Sequence, residues 1–237
     1  MSNQSKITLQ VPDSLGDITL GQYQKYLKII EANQGDDNAA EFINLKTIEI
    51  FCDIEFKDVL SIPIGEAEKV LGIISKAFEE KPDLIRHFKL LSVDMGFIPN
   101  LETISLGEYI DVENSISDWQ TIHKAMAVLF RPVNFRSGER YTIAPYEPSD
   151  EVSELMKEMP LSVAMGSMVF FYDLGTELLR AIPTYIQQNL TEEQTYLLKQ
   201  TLAQSGDGIN QFMDLLRGTS LDSMKSQAFH YSNASPI

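Results

Sequence analysis

One short phrase occurs twice in the chain, and each copy has the pattern of a helix start. Residues 17–23 read DITLGQY and residues 103–109 read TISLGEY. In both copies a threonine or serine stands three residues before a glutamine or glutamate, and this spacing forms a capping box that satisfies free backbone N–H groups in the first turn. The phrase therefore predicts helices that begin at Leu20 and Leu106, with the leucine and the tyrosine of each copy packing inward.

The glycines of the two copies, Gly21 and Gly107, are an unusual choice for a helix. Glycine inside a helix costs about 1 kcal/mol relative to alanine, so we expect a close neighbour that crosses the first turn. Weaker similarity continues along the chain, because a proline precedes an apolar helix in both SIPIGEAEKVLG and EMPLSVAMGSMV. Two hypotheses follow: an internal duplication of residues 5–85 and 90–182, or two independent capping boxes.

Hydrophobic periodicity predicts the remaining elements. The expected helices, besides the one that begins at Leu106, are 20–32, 41–51, 65–80, 118–130, 150–159, 161–188 with a kink or break at Pro183, 191–203 and a short one within 207–218. The expected strands are 5–11 and two short ones within 87–101, around a turn at Asp94–Gly96. Residues 134–148 are rich in turn-forming residues, which leaves open a small hairpin or an exposed loop.

These elements predict a fold of the mainly α class. We expect a helical domain with a few short β-strands and, under the duplication hypothesis, two related helical halves. The expected organisation is an N-terminal half at 1–85, a second half at 86–190, C-terminal helices at 191–218 and a polar tail at 219–237.

The charge of the chain excludes two classes of partner. Among 237 residues, 34 are acidic and 19 are Lys or Arg, which gives a net charge of −15. Such a chain repels nucleic acid and anionic membranes unless it carries a basic patch, and the sequence shows none. The longest apolar run, 161–172, is shorter than the ~20 residues that a membrane-spanning helix needs. We therefore expect neither a nucleic-acid partner nor a membrane partner.

The sequence shows no pattern of reactive residues, so we expect no enzyme, no catalytic residue, no metal site and no cofactor. His87, His123 and His230 have no partner at metal-ligand spacing, and the glycine-rich phosphate-binding motifs are absent. The single cysteine, Cys52, could pair with His87 or His123 as a nucleophile, but its apolar surroundings favour an inert thiol. One unpaired cysteine is typical of a reducing compartment such as the cytoplasm.

A methionine-rich segment is the one stretch of unusual composition. Methionine adapts to irregular partners and recurs on binding surfaces, so the segment is a candidate surface for a partner helix. The alternative is that these side chains fill the core. The candidate partner-binding residues are Met156, Met159, Met165, Met168, Phe170 and Phe171.

Two stretches carry a resemblance to a known family. The residues HKAMAVLFRPVNF (123–135) and MGSMVFFYDLGTELLRAIPTYIQQ (165–188), within a region that covers about 101–190, resemble tail assembly chaperone-like proteins of tailed bacteriophages. The resemblance implies a helical, non-enzymatic protein that binds the tape-measure and tail-tube proteins in the host cell cytoplasm during virion assembly. It is also compatible with a homo-oligomer.

A second hypothesis is consistent with the same phage resemblance. The protein would then be a structural virion component, such as a neck, tail or internal cargo protein, and it would remain in the particle. Neither hypothesis requires a catalytic group.

Overall fold

A computed structural model describes most of the chain, as two compact units. The described residues are 9–36, 39–138 and 140–173. The first unit consists of the described residues in 9–81 together with 158–162, and the second consists of those in 82–157 together with 163–173. The predicted break at Pro183, the predicted C-terminal helices and the predicted polar tail lie outside the described residues.

The first unit is helical. Its helices are α1 (Leu20–Ala32), α2 (Ala39–Phe51), α3 (Phe56–Val59) and α4 (Ile64–Ala77). The helices predicted at 20–32, 41–51 and 65–80 are therefore confirmed, with the first at its predicted bounds. An aromatic cluster joins α1 and α2 to the end of α4, because the Phe51 ring lies 5.1 Å from that of Tyr26 and 5.5 Å from that of Phe78.

A short segment of the first unit, residues 158–162, runs from the end of a 3-10 turn into the first residues of the helix at 161–173 and crosses the start of α1. We call it the strap. The Leu20 N–H donates to the carbonyl of Met159 over 2.9 Å, and the Leu161 N–H donates to the carbonyl of Ile18 over 2.8 Å. The side chains of Ile18 and Leu20 are fully buried. The strap therefore covers the start of α1, which lies in the first copy of the repeated phrase.

The prediction of a strand at 5–11 is wrong for the residues of that range that the structure describes. Residues 9–11 are not in a strand, and residues 5–8 lie outside the described residues. The alternation of apolar residues there fits a strand, but a strand also needs a neighbour for its backbone groups. In the described part of the first unit, bridge pairing is confined to Thr19 and Pro160.

The second unit combines helices with an antiparallel sheet. Its helices are α5 (Leu106–Ile116), α6 (Ile122–Leu129), α7 (Asp150–Leu155) and α8, which covers residues 161–173 and belongs to this unit from 163 onward. Its strands are β1 (His87–Leu90), β2 (Val93–Phe97), β3 (Phe130–Ser137) and β4 (Arg140–Ile143), in the order β1-β2-β3-β4. Helices predominate over the chain, as predicted, but the sheet makes the fold a mixed one. The relation between two halves stays a prediction.

The predicted helix 118–130 is shorter than expected. It begins at Ile122 and ends at Leu129, and Trp119 lies in the turn before it. Phe130 instead pairs with Phe97 of β2 and begins β3. The helical pattern was local, whereas this strand forms because a distant strand offers backbone partners. The hairpin alternative for 134–148 is confirmed, since β3 and β4 pair antiparallel.

The two strands predicted within 87–101 are confirmed, but the predicted turn between them is wrong. The turn lies at Leu91–Ser92 rather than at Asp94–Gly96. Asp94 and Gly96 sit inside β2, because its alternate residues Met95 and Phe97 are buried in the core. Both turn residues have positive φ, 46° and 80°, which a two-residue hairpin turn requires and which asparagine and glycine adopt at least cost.

The backbone conformation of this turn predicts that a double substitution will stabilise the second unit. We expect Leu91→Asn with Ser92→Gly to raise the free energy of unfolding by about 1–2 kcal/mol, because both residues relieve left-handed strain. Leu91 is exposed, so little apolar contact is lost. Urea unfolding followed by fluorescence of the single tryptophan, Trp119, measures the change in this unit.

The matched control is Leu106→Asn, because Leu106 lies in the same unit and is similarly exposed but is not among the residues with positive φ. It should change stability by less than about 0.5 kcal/mol. Equal effects of the double substitution and the control would contradict the assigned turn.

Candidate interaction surface

Both copies of the repeated phrase form the predicted capping box. In the first copy the Thr19 N–H donates to the Gln22 side chain over 2.8 Å, and the Gln22 N–H donates to the Thr19 hydroxyl over 3.1 Å. In the second copy the Ser105 N–H donates to the Glu108 carboxylate over 2.7 Å, and the Glu108 N–H donates to the Ser105 hydroxyl over 3.3 Å. The prediction of these helix starts is confirmed.

The two copies differ in what happens to their apolar side chains. Leu20 and Tyr23 are 0% and 4% exposed, whereas Leu106 and Tyr109 are 75% and 48% exposed. The prediction that these residues pack inward is right for the first copy and wrong for the second. The physical reason is that the strap meets the first copy at Leu20 and the Phe78 ring lies 5.9 Å from the Tyr23 ring, while no described residue covers the second copy in the same way.

Three large apolar side chains of α5 form a continuous exposed surface, which we call the α5 face: Leu106, Tyr109 and Ile110. Their spacing of three and four residues places them on one side of the helix. The prediction of a close neighbour at Gly107 is also wrong, because a side-chain carbon at this position would have no atom within 4 Å. The start of α5 is therefore open to an incoming group.

Polar contacts on the opposite side hold α5 in the unit. The Glu108 carboxylate lies 2.8 Å from the Arg131 guanidinium of β3, and both side chains are largely buried. The Tyr146 hydroxyl donates to the Asp111 carboxylate over 2.7 Å. These polar groups and the buried Ile116 lie on the side of α5 that packs into the unit, and the three side chains of the α5 face lie on the outside.

These contacts shift the ionisation of their groups. Burial alone would raise the pKa of Glu108, but hydrogen bonds from Ser105 and the charge of Arg131 outweigh it and hold the pKa below its usual value. Burial, followed by the hydrogen bond to Asp111, raises the pKa of Tyr146 to about 12. At neutral pH the network therefore contains a charged Glu108 and a neutral Tyr146.

The surroundings of the α5 face are acidic. Residues 90–123 contain no lysine or arginine but include six acidic residues. Glu108 is neutralised by Arg131, whereas Glu102 is exposed beside the helix start and Glu113 accepts a hydrogen bond from Tyr109 at the far end of the face. The rim of the face therefore carries negative charge.

The structure places the predicted methionine surface in the core. Met156, Met159, Met165 and Met168 are all buried. Met159 belongs to the first unit and the other three to the second. These positions fit the alternative in which the methionines fill the core, and a partner-binding role for them stays a prediction.

The two phenylalanines of the predicted surface, Phe170 and Phe171, are half-buried. Their rings lie 5.9 and 6.1 Å from the ring of Phe97. They therefore attach α8 to the sheet of the second unit. The α5 face was missed as a candidate because composition alone does not distinguish a covered leucine from an exposed one.

The described residues show no grouped metal ligands. Within them, no set of three or more His, Cys, Asp and Glu side chains could hold a metal ion. His87 packs against the Tyr141 ring, with the ring centroids 4.3 Å apart. His123 is buried and its Nε2 lies 3.3 Å from the Glu154 carboxylate, and burial lowers its pKa. His230 lies outside the described residues.

An open cleft of about 420 Å³ lies between β1 and β3. Lys89, Asp94 and Arg136 contribute charges of both signs to it, and Phe135 adds an exposed ring. No nucleophile with an adjacent general base lines the cleft. In the part of the chain that is described, no helix combines the length and the apolarity needed to cross a bilayer.

Cys52 provides a test of the expected inert thiol. It is buried at the end of α2, and burial raises its pKa to about 11. At pH 8 its thiolate fraction is then about 100-fold lower than that of an ordinary cysteine. We expect a disulfide reagent to modify the native protein at least about 100-fold more slowly than the protein unfolded in guanidinium, as absorbance of the released thiol would show. A native rate within tenfold of the unfolded rate would contradict the burial.

Comparison of the chain with models of protein families, with curated protein sequences and with solved structures finds no match. Function must therefore be inferred from the residues and their geometry.

Proposed function

We propose that this protein is a non-enzymatic phage assembly protein, a tail assembly chaperone-like factor that binds tape-measure and tail-tube proteins in the host cytoplasm. The observation that carries the proposal is the exposed α5 face. The resemblance of residues 123–135 and 165–188 to tail assembly chaperone-like proteins supplies the class of partner. The face itself supplies a surface on which such a partner can bind.

The size of the α5 face suits transient binding. Full burial of a leucine or isoleucine side chain contributes about 1.5–3 kcal/mol. The three side chains of the face are only partly exposed, and association costs several kcal/mol in lost freedom of motion. The net binding free energy should therefore be small enough for the partner to be released. A tail assembly chaperone needs such release, because it must pass its partner to the growing tail.

The charge of the protein also supports this role. A net charge of −15 keeps a complex soluble while a partner with exposed apolar segments is held. The acidic rim of the α5 face favours partner segments that carry lysine or arginine. Catalysis plays no part in this function, which needs only reversible contact.

Co-expression tests the proposal directly. The protein is produced together with candidate tape-measure and tail-tube proteins from the same genome, and the soluble complex is measured by affinity capture and gel densitometry. We expect Leu106→Asp to reduce capture at least about tenfold, because it replaces the most exposed apolar side chain of the face by a charge. Aspartate at a helix start is favourable, so the fold should persist.

The matched control is Ile64→Asp in the first unit. Ile64 is 83% exposed and is the first residue of its helix, as Leu106 is of α5. It should leave capture unchanged. If the unmodified protein captures neither partner, or if the two variants behave alike, the proposed function fails. Stoichiometric recovery of the protein from purified particles would instead favour the structural virion component.

A further inference from the structure

The first copy of the repeated phrase shows what kind of segment fits such a helix start. Met159 and Leu161 of the strap are fully buried, and Pro160 lies between them. The backbone pairs on both sides of Thr19, since the Leu20 N–H donates to Met159 and Leu161 donates to Ile18. Proline fits the middle position because it has no N–H to satisfy.

The second copy presents the same groups without a strap. Ile104 and Leu106 correspond to Ile18 and Leu20, and the capping box between them is the same. Within the described residues, the Leu106 N–H and the Ile104 carbonyl have no hydrogen-bond partner. The apolar side chain that the strap would cover is 75% exposed. Among the described residues, none pairs with these backbone groups or covers this apolar surface.

We propose that the α5 face, with Ile104, binds a short strap-like segment of a partner polypeptide in which two large apolar residues flank a proline and a lysine or arginine lies nearby. This inference rests on the proposed function and names the kind of segment that the partner offers. The apolar residues take the places of Met159 and Leu161, and the backbone repeats the two hydrogen bonds of the strap.

Charge complementarity determines the sign of the partner segment. Glu102 and Glu113 lie at the two ends of the face, and Arg131, which packs behind it, is already paired with Glu108. A segment with an acidic residue would meet like charge, whereas a basic residue would be attracted. The attraction acts between exposed groups, so it weakens as salt is added.

A second copy of this chain is a poorer occupant of the α5 face. Two copies related by a two-fold axis would bring the same acidic rim against itself. The strap of another copy is also engaged, because its Met159 and Leu161 are fully buried within their own unit. The geometry therefore favours a different polypeptide with a free segment of this type.

A synthetic strap peptide tests the inference on the full-length protein. The probe has the sequence of residues 157–163, KEMPLSV, with blocked ends and a fluorescent label, and binding is measured by fluorescence anisotropy. The intramolecular strap already occupies the first copy, so the second copy is the open site. We expect a dissociation constant on the order of 0.1–1 mM, as suits a short segment.

Peptide and protein variants make the test specific. The peptide with Glu158→Lys should bind about threefold more tightly at low salt. The peptide with Met159→Ser and Leu161→Ser should lose binding, and so should the protein variant Leu106→Asp with the original peptide. The protein variant Ile64→Asp should bind normally, and methyl NMR should show shifts of Leu106 on titration.

The outcomes separate this inference from the proposed function. No binding of the probe at about 5 mM, or equal binding by Leu106→Asp and Ile64→Asp, overturns the inference. If Leu106→Asp still abolishes capture of the tail proteins in that case, the proposed function stands alone. If the probe binds as expected while capture does not depend on Leu106, the segment site stands and the proposed function fails.

Discussion

Replacing Gly166 by alanine should lower the free energy of unfolding of the second unit by about 3 kcal/mol, because added atoms in a packed interior force backbone shifts. Gly166 lies in α8, where the backbone of residues 83–84 crosses the helix. A side-chain carbon at Gly166 would overlap the carbonyl oxygen of Asp83 and lie 2.9 Å from its carbonyl carbon. Urea unfolding followed by Trp119 fluorescence reports the change.

The matched control for this substitution is Gly107→Ala. Both glycines lie in helices of the second unit, but nothing is within 4 Å of a side-chain carbon at Gly107. The helix propensity of alanine should then dominate and raise stability by about 0.5–1 kcal/mol. Opposite signs at the two positions are the expected result. A neutral or stabilising effect at Gly166 would show that residues 83–84 do not cross α8 closely.

Replacing Glu108 by glutamine should destabilise the second unit by about 3 kcal/mol, because removal of one partner leaves the other charge buried and unpaired. Glu108 and Arg131 retain only 9% and 13% of their side-chain exposure. Glutamine keeps the size of the side chain and can still accept the capping hydrogen bond from Ser105. The measured loss therefore reports the ion pair rather than the helix cap.

The exposed pair of Glu66 and Lys69 provides the control, with a separation of 2.8 Å that matches the buried pair. Glu66→Gln should cost less than about 1 kcal/mol, since water screens an exposed ion pair. If both substitutions cost the same, the Glu108–Arg131 pair is not desolvated as the structure describes.

The buried pair of Glu108 and Arg131 also predicts that the stability of the second unit depends on pH in the acidic range. The pKa of Glu108 is lower in the folded protein than in the unfolded chain. The ionised Glu108 therefore contributes fully to the free energy of unfolding above the ordinary glutamate pKa of about 4.3. This contribution is lost as the pH falls through the pKa of Glu108 in the folded protein. The difference in stability between the original protein and Glu108→Gln should be largest near pH 7 and should shrink below about pH 4. Urea unfolding at several pH values measures it, and a pH-independent difference would contradict the assigned ionisation.

The elements that could be predicted from the sequence were those that depend on interactions between residues close together in the chain. The capping boxes at Thr19 and Ser105 depend on groups three residues apart, so both were found where the pattern placed them. The sheet was underestimated because β3 follows a helix without a break and depends on pairing with β2. The turn at Leu91–Ser92 was missed for the same reason, since burial of the strand residues moved it away from the aspartate and glycine.

The candidate surface could be only partly predicted. The methionine segment stood out by composition, yet its side chains are buried. The α5 face lay within the repeated phrase, but its exposure could not be read from residues that also occur in the buried copy. A buried and an exposed leucine have the same local pattern when the covering segment comes from elsewhere in the chain.

By itself the sequence determined where α1 and α5 begin, because capping is a short-range hydrogen-bonding effect. It also determined the acidic character that restricts the partners of the protein. The tertiary structure alone decided that Leu20 is covered and Leu106 is open, because the strap reaches the first copy from a distant part of the chain. Burial depends on which distant residues pack against a side chain, and hydrogen bonds between near neighbours do not specify that.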